Sequence, residues 1–161
     1  MNQENKYYLL ILTLFGLGSL LAQALFAPLI SIRLSQPDFV LVIVLLTGKR
    51  FGAIKGSTAG FVLGLLQDAV TGLPLGISSL PKAVAGYFAG KFHGHPIKSI
   101  SLDLWFVVFI LIHEIIFYGL FQFKSEFSFQ YLFLTRALPN TLYSSLVLLV
   151  VALFTDKYFS E

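Results

Sequence analysis

The feature that most constrains this chain is a run without a single charged residue between Lys6 and Arg33. A helix rises about 1.5 Å per residue and the hydrocarbon core of a bilayer is about 30 Å thick, so roughly 20 apolar residues can cross it. The run therefore predicts a membrane-spanning helix over residues 7–31. A secretory signal peptide is the alternative, because the Ala-Gln-Ala sequence at residues 22–24 resembles a cleavage site. Since the apolar stretch continues past that site, we expect an uncleaved helix.

The rest of the chain has the same character. Of its 161 residues, 57% are hydrophobic and only 12% are charged. The charged share is about half of that in a soluble domain. This composition predicts an all-α integral membrane protein with a single transmembrane domain, residues 1–161. We expect six spans, at about residues 7–31, 38–48, 52–68, 76–91, 101–123 and 136–155.

The distribution of lysine and arginine predicts that both termini are cytoplasmic. With six spans, the inner segments hold Lys6, Lys49, Arg50, Lys55, Lys91, Lys98 and Lys157, and the outer segments hold Arg33, Lys124 and Arg136. Basic residues favour the cytoplasmic side of membrane proteins. The second predicted span is short and is the doubtful one. If it did not cross, its basic cluster would move outside, so we expect it to cross.

Glycines recur every four residues in the third and fourth predicted spans. The first stripe is Gly52, Gly56, Gly60 and Gly64, and the second is Gly86, Gly90 and Gly94. Positions four apart share one face of a helix, and glycine there lets another backbone approach closely. Packing of the third and fourth helices against each other is the favoured interpretation. A docking face for the membrane helix of another protein is the alternative.

A loop with turn residues follows the third span. Gly72, Pro74 and Gly76 punctuate the segment after Asp68, and this segment carries no positive charge. Glycine and proline are typical of turns, and the lack of basic residues favours the outer side. We expect Asp68 near the outer surface, either as a solvated carboxylate or as part of a docking site.

Two charged residues fall inside predicted spans, Lys82 in the fourth and Glu114 in the fifth. A charge near the bilayer centre costs at least about 2.5–3.5 kcal/mol, so it usually faces protein or water. Because the depths of the two residues overlap, we predict a Lys82–Glu114 ion pair, with Asp68 as the alternative partner of Lys82. We expect the pair to fix helix positions, and a proton or ion pathway is the alternative.

Catalytic and metal-binding motifs are missing from the sequence. His113 and Glu114 stand side by side, but a zinc-protease motif needs a second histidine where Phe117 stands. His93 and His95 alone make an incomplete zinc site. The chain has no cysteine. We expect no catalytic residue, metal, cofactor or nucleic-acid partner, and an enzyme built around His113 and Glu114 is the least favoured hypothesis.

Four short motifs follow one another between residues 36 and 90. They are Gln-Pro-Asp at 36–38, Gly-Phe-Val-Leu-Gly-Leu-Leu-Gln-Asp at 60–68, Gly-Leu-Pro-Leu-Gly at 72–76 and Gly-Tyr-Phe-Ala-Gly at 86–90. In their order and spacing they resemble MreD, the family of bacterial rod shape-determining membrane proteins. The length, the number of spans and the cytoplasmic termini agree with the resemblance.

The resemblance implies a protein without enzymatic activity in the bacterial inner membrane. It implies a scaffold of the elongation machinery that binds MreC, a single-span protein with a periplasmic part. The actin-like MreB and the peptidoglycan synthases would be indirect partners, and membrane lipid a further one. The implied fold is similar to the S subunit of energy-coupling-factor transporters, with six helices around an outward-facing cavity. The residues carried over as partner-binding are Pro37, Asp38, Gly60, Gly64, Asp68, Pro74, Gly76, Gly86 and Tyr87.

A transporter subunit that captures a small molecule or vitamin is the alternative function. It predicts a polar pocket near the outer side of the membrane. Few polar residues lie within the spans, however: Gln23, Lys82, Glu114 and Asn140. Because specific capture needs several converging polar groups, we expect the scaffold function instead.

Overall fold

The computed structural model describes residues 3–32, 35–94 and 100–159, and these residues form a bundle of helices. The helices are α1 (Gln3–Leu25), α2 (Phe39–Phe51), α3 (Ala53–Thr71), α4 (Ser79–Gly90), α5 (Ile100–Phe121), α6 (Phe129–Leu132) and α7 (Leu138–Phe159). A 3-10 turn at Gln122–Lys124 follows α5, and a π-helical stretch at Phe133–Ala137 joins α6 to α7 without a break. The described residues thus form six helical rods, which confirms the all-α fold.

Three helices of the described chain are long and apolar enough to cross a membrane. They cover Lys6–Leu25, Leu104–Lys124 and Phe129–Val151. The helices α2 and α4 are shorter, with 13 and 12 residues. The described chain thus has the helices of a membrane protein, and six crossings stay a prediction.

The first predicted span is longer than its helix. Helix α1 ends at Leu25, and hydrogen-bonded turns occupy the residues up to 30. Pro28 lies in these turns and has no backbone N–H to continue the helical ladder. Helix α4 likewise begins at Ser79, after the turns of the preceding loop, and not at residue 76.

The glycine stripes pack α3 against α4. A Cβ added at Gly56 would lie 2.5 Å from the carbonyl oxygen of Gly86, and one added at Gly60 would strike the carbonyl of Lys82. Real side chains never approach backbone so closely, so only glycine fits these positions. Internal packing is therefore what the stripes do in this chain. Gly52 differs, because it has positive φ and open space around it, and it forms the corner between α2 and α3.

Helix α2 is the centre of the bundle. It contacts α1, α3, α4 and α7, and most of its side chains are buried. Val40 and Val44 pack toward Leu20 of α1, while Leu41 and Leu45 join a core with α4, α5 and α7. An interior helix touches little lipid, which explains why α2 is continuously apolar although it is short.

The two ends of the bundle differ in charge. Lys49, Arg50, Lys55 and Lys91 lie at the ends of α2, α3 and α4 that meet each other, and we call this the basic end. Two hydrogen bonds tie it together: Tyr8 donates to the Lys55 carbonyl (3.0 Å), and His93 Nδ1 lies 2.9 Å from the Lys49 carbonyl. The opposite end holds a polar cavity and is called the cavity end. Arg33 and Lys98, used in the topology prediction, fall outside the described residues.

Candidate functional site: a buried polar network and two concave surfaces

The first turn of α2 is held by side chains from three parts of the chain. Asp38 is its N-cap, and its Oδ1 accepts a hydrogen bond from the Leu41 backbone N–H at 2.8 Å. The backbone N–H of Asp38 donates to Ser144 Oγ at 3.1 Å, and that of Phe39 donates to Gln23 Oε1 at 2.9 Å. The first N–H groups of a helix have no partner within it, so these contacts satisfy groups that membrane burial would otherwise penalise.

Lys82 forms an ion pair with Asp38, with 2.6 Å between Nζ and Oδ2. Lys82 is 1% exposed, so it needs such a partner. The predicted direct pair with Glu114 is wrong, and so is the alternative pair with Asp68. The reason lies in the chain direction: α2 and α4 both begin at the cavity end, so their first turns lie side by side.

His113 connects this ion pair to Glu114. Its Nε2 lies 3.4 Å from Lys82 Nζ, and its Nδ1 lies 3.2 Å from Glu114 Oε1. A neutral imidazole fits both contacts, because Nε2 then accepts from the ammonium group and Nδ1–H donates to the carboxylate. Lys82 and Glu114 therefore belong to one network, although they do not touch directly.

Asn140 brings α7 into the same network. Its Nδ2 donates to the Tyr118 hydroxyl at 3.0 Å and lies 3.5 Å from Glu114 Oε2. Its Oδ1 accepts from the backbone N–H of Gln36 at 3.1 Å. The network thus joins the start of α2 and of α4 to the middle of α5 and the first turn of α7. Such a fully hydrogen-bonded cluster fixes the relative positions of the four helices.

Asp68 organises the loop between α3 and α4. Its Oδ2 accepts from the Gly76 backbone N–H at 2.8 Å, and its Oδ1 accepts from that of Ser78 at 3.0 Å. Asp68 is fully buried, so its interpretation as a solvated carboxylate is wrong. Gly72 ends α3 in the left-handed conformation, with φ 69°. Asp68 therefore closes the loop by holding its far end, at Gly76 and Ser78, against the end of α3.

A polar cavity of about 230 Å³ opens beside this network at the cavity end. Its inner part is formed by Asp38, His113, Glu114 and Asn140, and Ser78 and Arg136 also line it. The described residues contain no group of three or more His, Asp or Glu side chains placed to hold a metal ion. The cavity therefore offers hydrogen bonds and charges for a polar guest.

A second concave surface runs along the outside of the bundle between α1 and α7. We call it the α1–α7 groove. At mid-depth it is a hollow of about 240 Å³ lined by Leu14, Gly18 and Ala22 of α1, with Val42 and Ile43 of α2 beneath it. Gly18 has open space around it, because an added Cβ would meet no atom within 4 Å.

A separate and larger apolar hollow of about 840 Å³ lies along the first half of α7. Leu142 and Leu146 line it, and both are more than half exposed. Tyr143 also lines it and donates a hydrogen bond to the Ile30 carbonyl at 2.7 Å, which ties the chain after α1 to α7. The two hollows share no lining residue, and only the smaller one, the α1–α7 groove, includes residues of α1.

The nine residues predicted to bind a partner do not form one surface. Pro37 and Asp38 lie at the cavity, and Asp68, Pro74 and Gly76 form the α3–α4 loop. Gly60, Gly64 and Gly86 lie between closely packed helices. Tyr87 is exposed on α4. A role of these residues in partner binding stays a prediction.

Several residues of the network were not identified from the sequence. From the sequence, His113 is considered as a metal ligand or, with Glu114, as the centre of an enzyme, and Arg136 as a charge of an outer segment. The sequence around the start of α7 carries a signal: Arg136, Asn140 and Ser144 are four apart and therefore share one helical face. All three reach the cavity or the network below it.

The comparison with protein families identifies the chain. The family model described as rod shape-determining protein MreD matches residues 3–161. Searches of curated proteins and of solved structures find no significant match. Similarity to the S-subunit fold therefore stays a prediction. The family match extends far beyond the motifs between residues 36 and 90 and includes all the described helices. The chain belongs to the MreD family of non-catalytic, rod shape-determining membrane proteins.

Proposed function

We propose that the chain is a scaffold of the bacterial elongation machinery in the inner membrane. In this role it binds an MreC-like single-span protein and thereby helps to position peptidoglycan synthesis, which maintains the rod shape. An MreB-like cytoskeleton and the peptidoglycan synthases are indirect partners. The observation that carries the proposal is the MreD family match over residues 3–161.

The membrane helix of the MreC-like protein docks in the α1–α7 groove. The glycine faces of α3 and α4 are filled by each other, so they offer no room to a further helix. Gly18 and Ala22, by contrast, are small residues four apart on α1, and a Cβ added at Gly18 would meet no atom of another helix within 4 Å. Small residues at this spacing support close packing of helices within lipid, where apolar surface alone does not drive association.

The basic end of the bundle faces the cytoplasm in this proposal. Lys49, Arg50, Lys55 and Lys91 are gathered there, and such clusters favour the cytoplasmic side, where anionic lipids also attract them. The cavity end then faces the periplasm, where it lies on the same side as the periplasmic part of the MreC-like protein. Alkaline phosphatase, which is active only outside the cytoplasm, fused after Lys124 should be active, and the same enzyme fused after Lys91 should be inactive. The reverse activities would overturn the orientation.

The docking site is tested with two leucine substitutions of glycine. Gly18→Leu fills the groove, whereas Gly119→Leu on α5 adds the same side chain at another position with no atom within 4 Å. Each variant is expressed with the MreC-like protein from the same bacterium, and co-purification is measured together with thermal stability. We expect Gly18→Leu to lower recovery of the partner about tenfold or more, since a 1.4 kcal/mol loss already has that effect.

Both variants should fold, because a Cβ added at either position meets no atom within 4 Å outside its own stretch of helix. If Gly18→Leu keeps its melting temperature and still recovers the partner normally, the groove is not the docking site. Failure of the unsubstituted chain to recover the MreC-like protein would overturn the scaffold function itself.

A further inference from the structure

The polar cavity contains buried groups that the protein does not satisfy. Ser78 is fully buried and lines the cavity, yet its Oγ has no hydrogen-bond partner among the described residues. Gln67 and Arg136 are only partly buried, but their Oε1 and Nε atoms are buried and also lack a partner among the described residues, and both residues line the cavity. Buried polar atoms are nearly always paired in proteins, so unpaired ones at a cavity wall are available to hydrogen-bond a molecule that enters the cavity.

The unpaired atoms differ in what they need. Gln67 Oε1 is an acceptor and requires a donor, whereas Arg136 Nε–H is a donor and requires an acceptor. Ser78 Oγ can serve either way. A guest that satisfies all three atoms must therefore carry at least one hydrogen-bond donor and one acceptor.

The charged side chains that line the cavity are also of both signs. The inner part carries the carboxylates of Asp38 and Glu114, and Asp38 is neutralised by Lys82. Among the described ion pairs, Glu114 meets only His113. Arg136 lies one helical turn before Asn140, and α7 runs from the cavity end to the basic end, so Arg136 is nearer the opening. The cavity is thus negative inside and positive at its mouth.

We infer that this cavity binds a small zwitterion, with its ammonium group inward against Glu114 and its carboxylate against Arg136 at the mouth. The volume of about 230 Å³ accommodates a molecule the size of an amino acid. It is smaller than the pockets of about 300–1,000 Å³ that hold drug-sized ligands. The inference goes beyond the scaffold function and does not depend on the MreC-like partner.

Probes of graded length test the site. Purified protein in detergent is titrated at millimolar concentration with glycine, β-alanine, 4-aminobutyrate and 6-aminohexanoate. The controls are n-butylamine and butyrate, which carry only one of the two charges. Melting temperature and calorimetric titration report binding, and native mass spectrometry of freshly purified protein detects a retained molecule. We expect at least one of the amino acids to raise the melting temperature, and neither control to do so.

Matched substitutions locate the binding. Glu114→Gln and Arg136→Gln remove one charge each from the cavity, and the exposed Glu126→Gln and Lys124→Gln remove the same charges outside it. We expect each cavity variant to weaken binding of the best probe about tenfold or more, as the loss of a charge-assisted hydrogen bond predicts. The exposed variants should bind normally.

Two outcomes would overturn the inference. One is that no amino-acid probe changes the melting temperature and no small molecule is retained, which would mean that the cavity holds only water. The other is that all four variants lose binding equally or keep it equally, which would locate the probe elsewhere. If Glu114→Gln fails to fold, comparing probe binding by Arg136→Gln with that by Lys124→Gln decides the question.

Discussion

Two regions of this molecule hold helices together by opposite means. Between α3 and α4, glycines remove side chains so that backbone meets backbone. Where α2, α4, α5 and α7 meet, charged and polar side chains fill the space and pair with one another. The two regions touch at Lys82: its carbonyl faces Gly60, while its side chain reaches Asp38.

The comparison shows that membrane helices are positioned by shape in one place and by charge in another. Any side-chain atom added at the glycine contact should destabilise the fold, because the opposing atoms belong to the backbone and cannot move aside as a side chain can. The polar network should accept an isosteric change but not an unbalanced charge. Both regions are internal, and we propose that the partner binds at a third region, the α1–α7 groove.

The largest expected effect is on the glycine contact. Gly60→Leu should abolish recovery of folded protein, because the added side chain would strike the backbone of Lys82 and Ala83. Overpacking typically costs about 1–3 kcal/mol and more where backbone must move. Gly119→Leu, in open space, should retain the melting temperature of the original chain. Equal melting temperatures of the two variants would show that Gly60 is no more tightly packed than Gly119.

The next effect is on the charge pair. Asp38→Asn keeps an oxygen to cap α2 but leaves Lys82 buried without a carboxylate partner, and it should cost about 3–5 kcal/mol of unfolding free energy. Lys82→Met should be similarly harmful, because it strands Asp38. The double variant should recover much of the loss, since it removes both charges. Strictly additive losses in a denaturation series would show that the two residues act independently.

A smaller effect is expected at the loop between α3 and α4. Asp68→Asn replaces one carboxylate oxygen by an NH₂ group, which cannot accept, so the backbone N–H of either Gly76 or Ser78 loses its partner. The loss of such a buried hydrogen bond costs about 1–3 kcal/mol. Glu126→Gln on the exposed loop is the control and should leave the melting temperature unchanged. A neutral Asp68→Asn would show that the loop does not depend on the carboxylate.

The smallest expected effect is a gain in stability at an unpacked glycine. Gly119→Ala should stabilise the protein slightly, by up to about 1 kcal/mol, because alanine is the better helix former and nothing lies near the added methyl group. Thermal unfolding in detergent measures the change. A marked loss of stability would mean that Gly119 is also needed for packing.

Much of the fold could be predicted from the sequence because it depends on local patterns. The charge-free runs predict the helices, and the four-residue spacing of Gly56, Gly60 and Gly64 predicts close packing of α3 on α4. The need of Lys82 for an acidic partner follows from its position in a span. These inferences require only composition and helical periodicity.

The identity of that partner could not be predicted, because it depends on how the helices are arranged. Asp38 is 44 residues from Lys82 along the chain and stands at the edge of its predicted span. The pair forms because α2 and α4 start at the same end of the bundle, which periodicity alone does not show. The residues that line the cavity could not be predicted for the same reason, since Ser78, Glu114 and Arg136 come from three separate segments.

Cysteine cross-linking tests most directly where the partner binds. The chain has no cysteine, so one introduced residue gives a unique position. Gly18→Cys in the groove and Val62→Cys on the exposed face of α3 are each paired with single cysteines along the membrane helix of the MreC-like protein. The account predicts disulfide cross-links to Gly18→Cys at positions about one helical turn apart, and none to Val62→Cys. Cross-links to Val62→Cys with none to Gly18→Cys would contradict it.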